Sequence, residues 1–525
     1  MKLPWGTSGW RAKRDAMRAA VEASSPVDLS NIGRTLFHAA LVGAAAGLVG
    51  ATFFAALEYV QRLLLEDLGG YHPLKAAGEN FLPAGGPRTF RPWLLVLLPG
   101  LGALASGIIS QLAPETRGGG GDAMIDAFHH KGGFIRRRVI WVKALASLFT
   151  LGSGGSGGRE GPTMLIGGAL GSLVGRLLPV GPRERRVLMI AGVAAGIAAV
   201  FRTPLGAALL AVEVLYHDDF ESDALIPAVL ASVVAYSVVI SIYGESTLFS
   251  QTSRFPFVPK HLWLYAIMAL AVSVLAAVFV KTLDAVKLLS ARISAPDWVK
   301  PAIGGLALGI FAVPLILVIG WRVNQPGQGV GLLGGGYGAV QVAMTGADWL
   351  PLGWNGVALL SGLCLAKIFA SSLTIGTGGS AGDFAPSLVI GGLFGGAFGR
   401  AVQLLSDDPR ISPAAFALVG MGTFYGGLAH APLSSLIIVC ELAGSYDLLV
   451  PLMLTEGIAF VALRKRALYH SQLPSRRHSP SHSEDSGLFV VANVAGTSER
   501  PPDSRESMAP PSGPPTDPSA KNETA

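Results

Sequence analysis

Charge is scarce in this chain. Only 14% of its 525 residues are Asp, Glu, Lys or Arg, and 50% are hydrophobic. Soluble domains carry about 25% charged residues. The mean hydropathy is +0.50. Cysteine is nearly absent. The two present, Cys364 and Cys440, both lie in apolar runs, which excludes a disulfide framework and a cysteine metal site. The chain lacks His-Glu-x-x-His, which leaves an intramembrane enzyme little support, and it lacks Gly-x-x-x-x-Gly-Lys-Ser/Thr, so the glycine runs are not nucleotide loops. No enzyme and no resident cofactor is expected. The net charge of +6 is small for this length and its basic residues cluster in short loops, which points to membrane topology and away from nucleic acid. The first 33 residues are too polar for a signal peptide. A polytopic membrane protein is the class that remains.

What the chain has in abundance is glycine, 68 residues of it. The densest run is Gly152-Ser-Gly-Gly-Ser-Gly-Gly-Arg-Glu-Gly-Pro162, with apolar sequence on both sides. A break of this kind cannot face lipid, because its N–H and C=O groups would go unsatisfied there. Pro162 suits the first turn of a helix, so the run ends at a helix N-terminus whose free N–H groups attract an anion. Glu160 puts a carboxylate where that anion would sit.

The run is repeated. Residues 143–176 align without a gap to 367–400, with identities at Lys143/Lys367, Ser147/Ser371, Gly158/Gly382, Pro162/Pro386 and Arg176/Arg400. A second block, including Gly192/Gly420, Pro204/Pro432 and Glu213/Glu441, repeats at an offset of 228. Two homologous halves with a broken helix at the same place in each point to a transport site between them. Gly167, Gly171 and Gly175, with Gly391, Gly395 and Gly399, give flat helix faces for close packing.

Along the chain, a basic segment at 1–33 precedes the first membrane half, 34–245; the second half is 246–474, and 475–525 reads as a disordered tail with no folded cytoplasmic domain. Apolar spans are expected at 36–57, 93–113 and 224–243, then at 262–280, 301–320, 356–375 and 387–405, with shorter segments between them. Arg136–Arg138 and Arg464–Arg466 are expected to be cytoplasmic by their charge, which puts both termini on the cytoplasmic side of a cell membrane.

Gly158-Arg159-Glu160-Gly161-Pro162 resembles the signature of the CLC chloride channels and chloride/proton antiporters, and Gly382-Asp383-Phe384-Ala385-Pro386 resembles that family's second-half motif. The likeness covers roughly residues 35–475. It implies an all-α membrane fold of two inverted-topology halves with many tilted and broken helices, assembled as a homodimer. It implies chloride or another small anion as the substrate, with protons as a second one. By the resemblance, Glu160 is the gating glutamate. Gly118, Gly119, Gly120, Gly158, Arg159, Gly161, Phe384, Ala385 and Tyr469 surround the anion.

The chain departs from the family at three places. Gly119 stands where a serine hydroxyl is expected and Asp122 where a proline is, so restoring a hydroxyl by Gly119→Ser is expected to favour chloride. Asp383 replaces an apolar residue. Val214 occupies the position of the antiporters' internal proton glutamate, and a valine cannot carry a proton. The adjacent Glu213 has its counterpart in Glu441, which favours a structural role for both. Channel-like or weakly coupled conduction is therefore expected, with chloride/proton antiport by another internal proton route as the alternative.

Overall fold

The computed structural model describes residues 29–79, 89–249, 255, 258–347, 349–406, 408 and 410–482. Among these the chain is all-α, and the same order of eight helices runs through each half. The first half comprises α1 (Leu29–Gln61), α2 (Pro92–Ser110), α3 (Gly121–His130), α4 (Arg138–Gly152), α5 (Glu160–Leu177), α6 (Pro182–Phe201), α7 (Pro204–Glu213) and α8 (Ser222–Tyr243). The second comprises α9 (Leu262–Arg292), α10 (Lys300–Arg322), α11 (Tyr337–Thr345), α12 (Trp354–Gly376), α13 (Phe384–Ser406), α14 (Pro413–Ala429), α15 (Pro432–Ala443) and α16 (Leu449–Leu463). Among the described residues seven helices are long and apolar enough to cross a membrane, whereas α7, α14, α15 and α16 are shorter. Leu101, Ile226, Val274 and Ile310 are 59–69% exposed on the outside of the bundle, as lipid-facing residues must be.

Local rules explain the boundaries. Proline sits in the first turn of α2, α6, α7, α10, α14 and α15, where its missing N–H costs nothing. Both α6 and α14 end on a left-handed residue, Arg202 and His430, two positions before the proline that opens the next helix. Two of the expected spans need correction. The span expected at 93–113 stops at Ser110, and a short turn at Pro114–Thr116 follows. That expected at 262–280 runs on to Arg292, carrying Lys281, Asp284 and Lys287 on its extension.

The halves pack reciprocally. Helix α2 lies on α10 and α7 on α15, while α5 packs on α6 as α13 packs on α14. A methyl group on Gly167 would strike the carbonyl of Gly192, and one on Gly391 the carbonyl of Gly420. Glycine there lets backbones touch. Residues 475–482, expected to begin a disordered tail, are packed instead: Ser481 Oγ donates to the carbonyls of Phe128 (2.7 Å) and His129 (3.0 Å). The rest of the expected tail, like most of 1–33, lies outside the described residues.

Candidate functional site

The two broken segments meet. Gly158 and Gly382 exchange backbone hydrogen bonds, each 2.7 Å, in an antiparallel bridge. Serines lock the breaks on either side: Ser147 bonds Ser380 (2.9 Å) and Ser156 bonds Ser371 (3.0 Å), two contacts related by the repeat. Residues 154–158 and 378–382 do spell Gly-x-Ser-x-Gly, but their serine hydroxyls are held by these structural bonds.

Buried lysines hold a second pair of glycine loops. Lys143 Nζ donates to the carbonyls of Thr116 (3.0 Å) and Gly118 (2.7 Å), and Lys367 Nζ to those of Leu332 (3.3 Å) and Gly334 (2.8 Å). Gly118 and Gly334 are left-handed, as are Gly120 and Gly336, so the loop at 332–337 repeats the loop at 116–121 with an offset of 216. A glycine-for-tyrosine change at 121/337 and a changed offset hide this repeat in the sequence.

Glu160 opens α5 and is fully buried. Its Oε1 accepts a hydrogen bond from the Tyr337 hydroxyl (2.9 Å), while Oε2 has no hydrogen-bond partner among the described residues. A narrow polar chamber, open at its mouth, reaches it past Glu58, Lys75, Glu79, Arg159 and Tyr337. Arg159 pairs with Glu79 (3.0 Å) and Glu58 (3.5 Å), lies over the Phe54 ring, and comes within 3.9 Å of Glu160. Its guanidinium therefore belongs to the chamber wall. No local sequence pattern points to Glu58, Lys75, Glu79 or Tyr337 here, because they lie far along the chain from the glycine run.

The remaining candidates converge beyond the Gly158–Gly382 bridge. Gly120 packs on the Gly161 carbonyl, Gly161 on Gly119, and Gly158 on Ala385. The Phe384 ring packs, tilted by 55° to each, between Phe201 (4.8 Å between centroids) and Tyr425 (4.2 Å). Tyr469 is buried and donates to Asp383 Oδ1 (3.1 Å). Asp122 accepts from the Ser471 N–H (3.0 Å), which fixes the turn bearing Tyr469.

Glu213 and Glu441 cap each other's helices. Glu213 accepts from the N–H groups of Leu433 (3.1 Å) and Ser434 (2.8 Å), and Glu441 from those of Leu205 (3.2 Å) and Gly206 (2.9 Å). Val214 is buried, and its carbonyl accepts from the Gln472 amide (2.9 Å). Glu456 is a further buried carboxylate, packed against Gly422 and Gly426.

The profile of the voltage-gated chloride channel family matches residues 101–464. The H+/Cl− exchange transporter ClcA of Vibrio campbellii is 30% identical over 457 residues, 86% of this chain and 90% of its own length. ClcA of Vibrio vulnificus is 31% identical over 426 residues, 80% and 84% of the two chains. The crystal structure of a slow cyanobacterial Cl−/H+ antiporter superposes with a TM-score of 0.69 at 23% identity, covering 89% of this chain and 99% of that one.

Proposed function

The chain belongs to the voltage-gated chloride channel family, and on that premise we propose that it exchanges a small anion, chloride foremost, for protons along a pathway gated by Glu160. One observation carries the reading. A buried carboxylate stands at a helix N-terminus, one oxygen on the Tyr337 phenol and the other free, at the foot of a polar chamber. Ionised, it competes with chloride for the N–H groups of that terminus. Protonated, it loses its charge and its claim on them. Gly158, Gly161, Phe384 and Ala385, at the paired breaks, supply the backbone of the anion's route. The exchange named for the Vibrio relatives supports coupling to protons and favours antiport over the channel-like conduction expected from Val214.

Uncoupled conduction stays as a second reading on one observation: Val214 has no titratable atom, and the neighbouring Glu213 is held as a cap. The protein is a multi-pass membrane protein, placed by this reading as a homodimer in a cell membrane with both termini cytoplasmic. The test is Glu160→Gln in liposomes. Anion flux persists, but a chloride gradient no longer drives protons; proton movement that survives the substitution contradicts the gating role.

A further inference from the structure

Asp383 is a carboxylate that the pathway so far leaves without a task. It is 7% exposed among membrane-deep helices, where an ionisable group is costly and marks function. Its repeat counterpart is Arg159, which has ion-pair partners; Asp383 has none among the described residues. Instead, Oδ1 accepts from the Tyr469 phenol at 3.1 Å. Oδ2 faces Gly119, where a Cβ would come within 3.0 Å of it.

Two plainer roles fit less well. A helix-capping aspartate turns an oxygen onto the N–H of the second or third residue of its own helix, whereas the Asp383 carboxylate bonds Tyr469 and not Ala385. Here the third residue of α13 is Pro386, which has no N–H, and the Ser387 N–H and hydroxyl bond the Asp383 carbonyl. Nor does Lys143 require a counter-charge. Its ammonium lies on the Thr116 and Gly118 carbonyls, and Lys367 does the same in the other half, where Arg159 stands in place of an aspartate.

We propose that Asp383 is a second gate in series with Glu160: ionised, its carboxylate takes an anion's position between Gly119 and Tyr469, and protonated, it yields that position to chloride. The inference rests on the Glu160-gated pathway above. One proton joins the carboxylate when the anion enters and returns to water when the carboxylate reclaims the position. Two departures from the family thereby become one, because a serine at 119 would crowd the aspartate. Gly119 makes the room that Asp383 fills. The titratable groups facing Asp383 are Tyr469 and Tyr425; Asp122, Lys143 and Lys287 act on it through space. None of them is a side-chain partner of Glu160.

The experiment uses the full chain with Glu160→Gln, so that the outer carboxylate is neutral throughout. Chloride binding is followed by titration calorimetry, and chloride efflux from liposomes, between about pH 4 and about pH 8, a span that brackets shifted carboxylates. Binding tightens and efflux quickens as pH falls. Adding Asp383→Asn flattens both profiles and tightens neutral-pH chloride binding at least about fivefold, the smallest factor expected from unit charges about 4 Å apart. Should that variant not fold, Tyr469→Phe replaces it: loss of the phenol donor moves the midpoint of the profile to higher pH. A flat profile in Glu160→Gln, a profile unchanged by Asp383→Asn, or a midpoint unmoved by Tyr469→Phe overturns the proposal. Proton movement that survives Glu160→Gln is a different failure, of the Glu160 reading itself.

Discussion

Replacing Glu213 separates a structural carboxylate from a proton carrier. Its carboxylate accepts from Leu433 N (3.1 Å), Ser434 N (2.8 Å) and Ser434 Oγ (2.7 Å). The hydroxyl has a second acceptor in the Ala431 carbonyl (3.1 Å), so Glu213→Ala leaves two backbone N–H groups stranded at the start of α15. At about 1–3 kcal/mol for each unsatisfied group, the loss is roughly 2–6 kcal/mol. Glu441→Ala also strands two groups, those of Leu205 and Gly206, but Glu441 is only half-buried. Water replaces it more readily, and the loss falls to about 1–3 kcal/mol. Glu213→Gln keeps an acceptor and lies between wild type and Glu213→Ala. The assay is thermal stability in detergent by size-exclusion chromatography after heating, with anion and proton flux measured per correctly folded protein. Stability falls in the order given, while flux per folded molecule is preserved. A Glu213→Ala protein as stable as wild type that no longer moves protons would refute the capping argument and make Glu213 the relay.

Gly119→Ser alone leaves the chloride/nitrate ratio unchanged, because the new hydroxyl meets the Asp383 carboxylate; combined with Asp383→Leu it raises chloride preference, and reversal potentials in mixed salts give the check. Gly391→Ala, which forces a methyl onto the Gly420 carbonyl and within 2.7 Å of the Phe424 side chain, destabilises by about 1–3 kcal/mol. Gly362→Ala, with open space around it, is neutral or stabilising by up to about 1 kcal/mol; the two thermal midpoints compared in detergent test the close packing of α13 on α14. Truncation after His482 leaves stability and flux intact, whereas truncation after Pro474 lowers the thermal midpoint by removing Ser481 from Phe128 and Arg476 from Glu221 (3.1 Å).

Much of this architecture was legible because membrane physics writes plainly. The paired glycine breaks, the short helices between them and the starting prolines each follow from backbone satisfaction and apolar length, and Glu160 stands out as a carboxylate at a helix N-terminus. The helix glycines were rightly read as packing faces. The site's walls were illegible for a different reason. Tyr337 reaches Glu160 across 177 positions, and Asp383 meets Tyr469 across 86, contacts that no local pattern encodes. The loop at 332–337 escaped notice because its offset of 216 differs from the 224 of the main block. Residues 475–482 have the polar composition of a tail, but side-chain bonds to the end of α3 hold them in place. Gly119 and Asp383 are separate departures in the sequence, and only their contact in the fold joins them.

The central claim is that anion flux through this chain is coupled to protons by way of Glu160. The most direct test is the reversal potential of the reconstituted protein under opposed chloride and pH gradients. The account predicts that the potential departs from the chloride equilibrium value and shifts steadily with the proton gradient, and that Glu160→Gln abolishes the shift. A potential that follows chloride alone in the wild-type protein would contradict it and establish the chain as an uncoupled conductor.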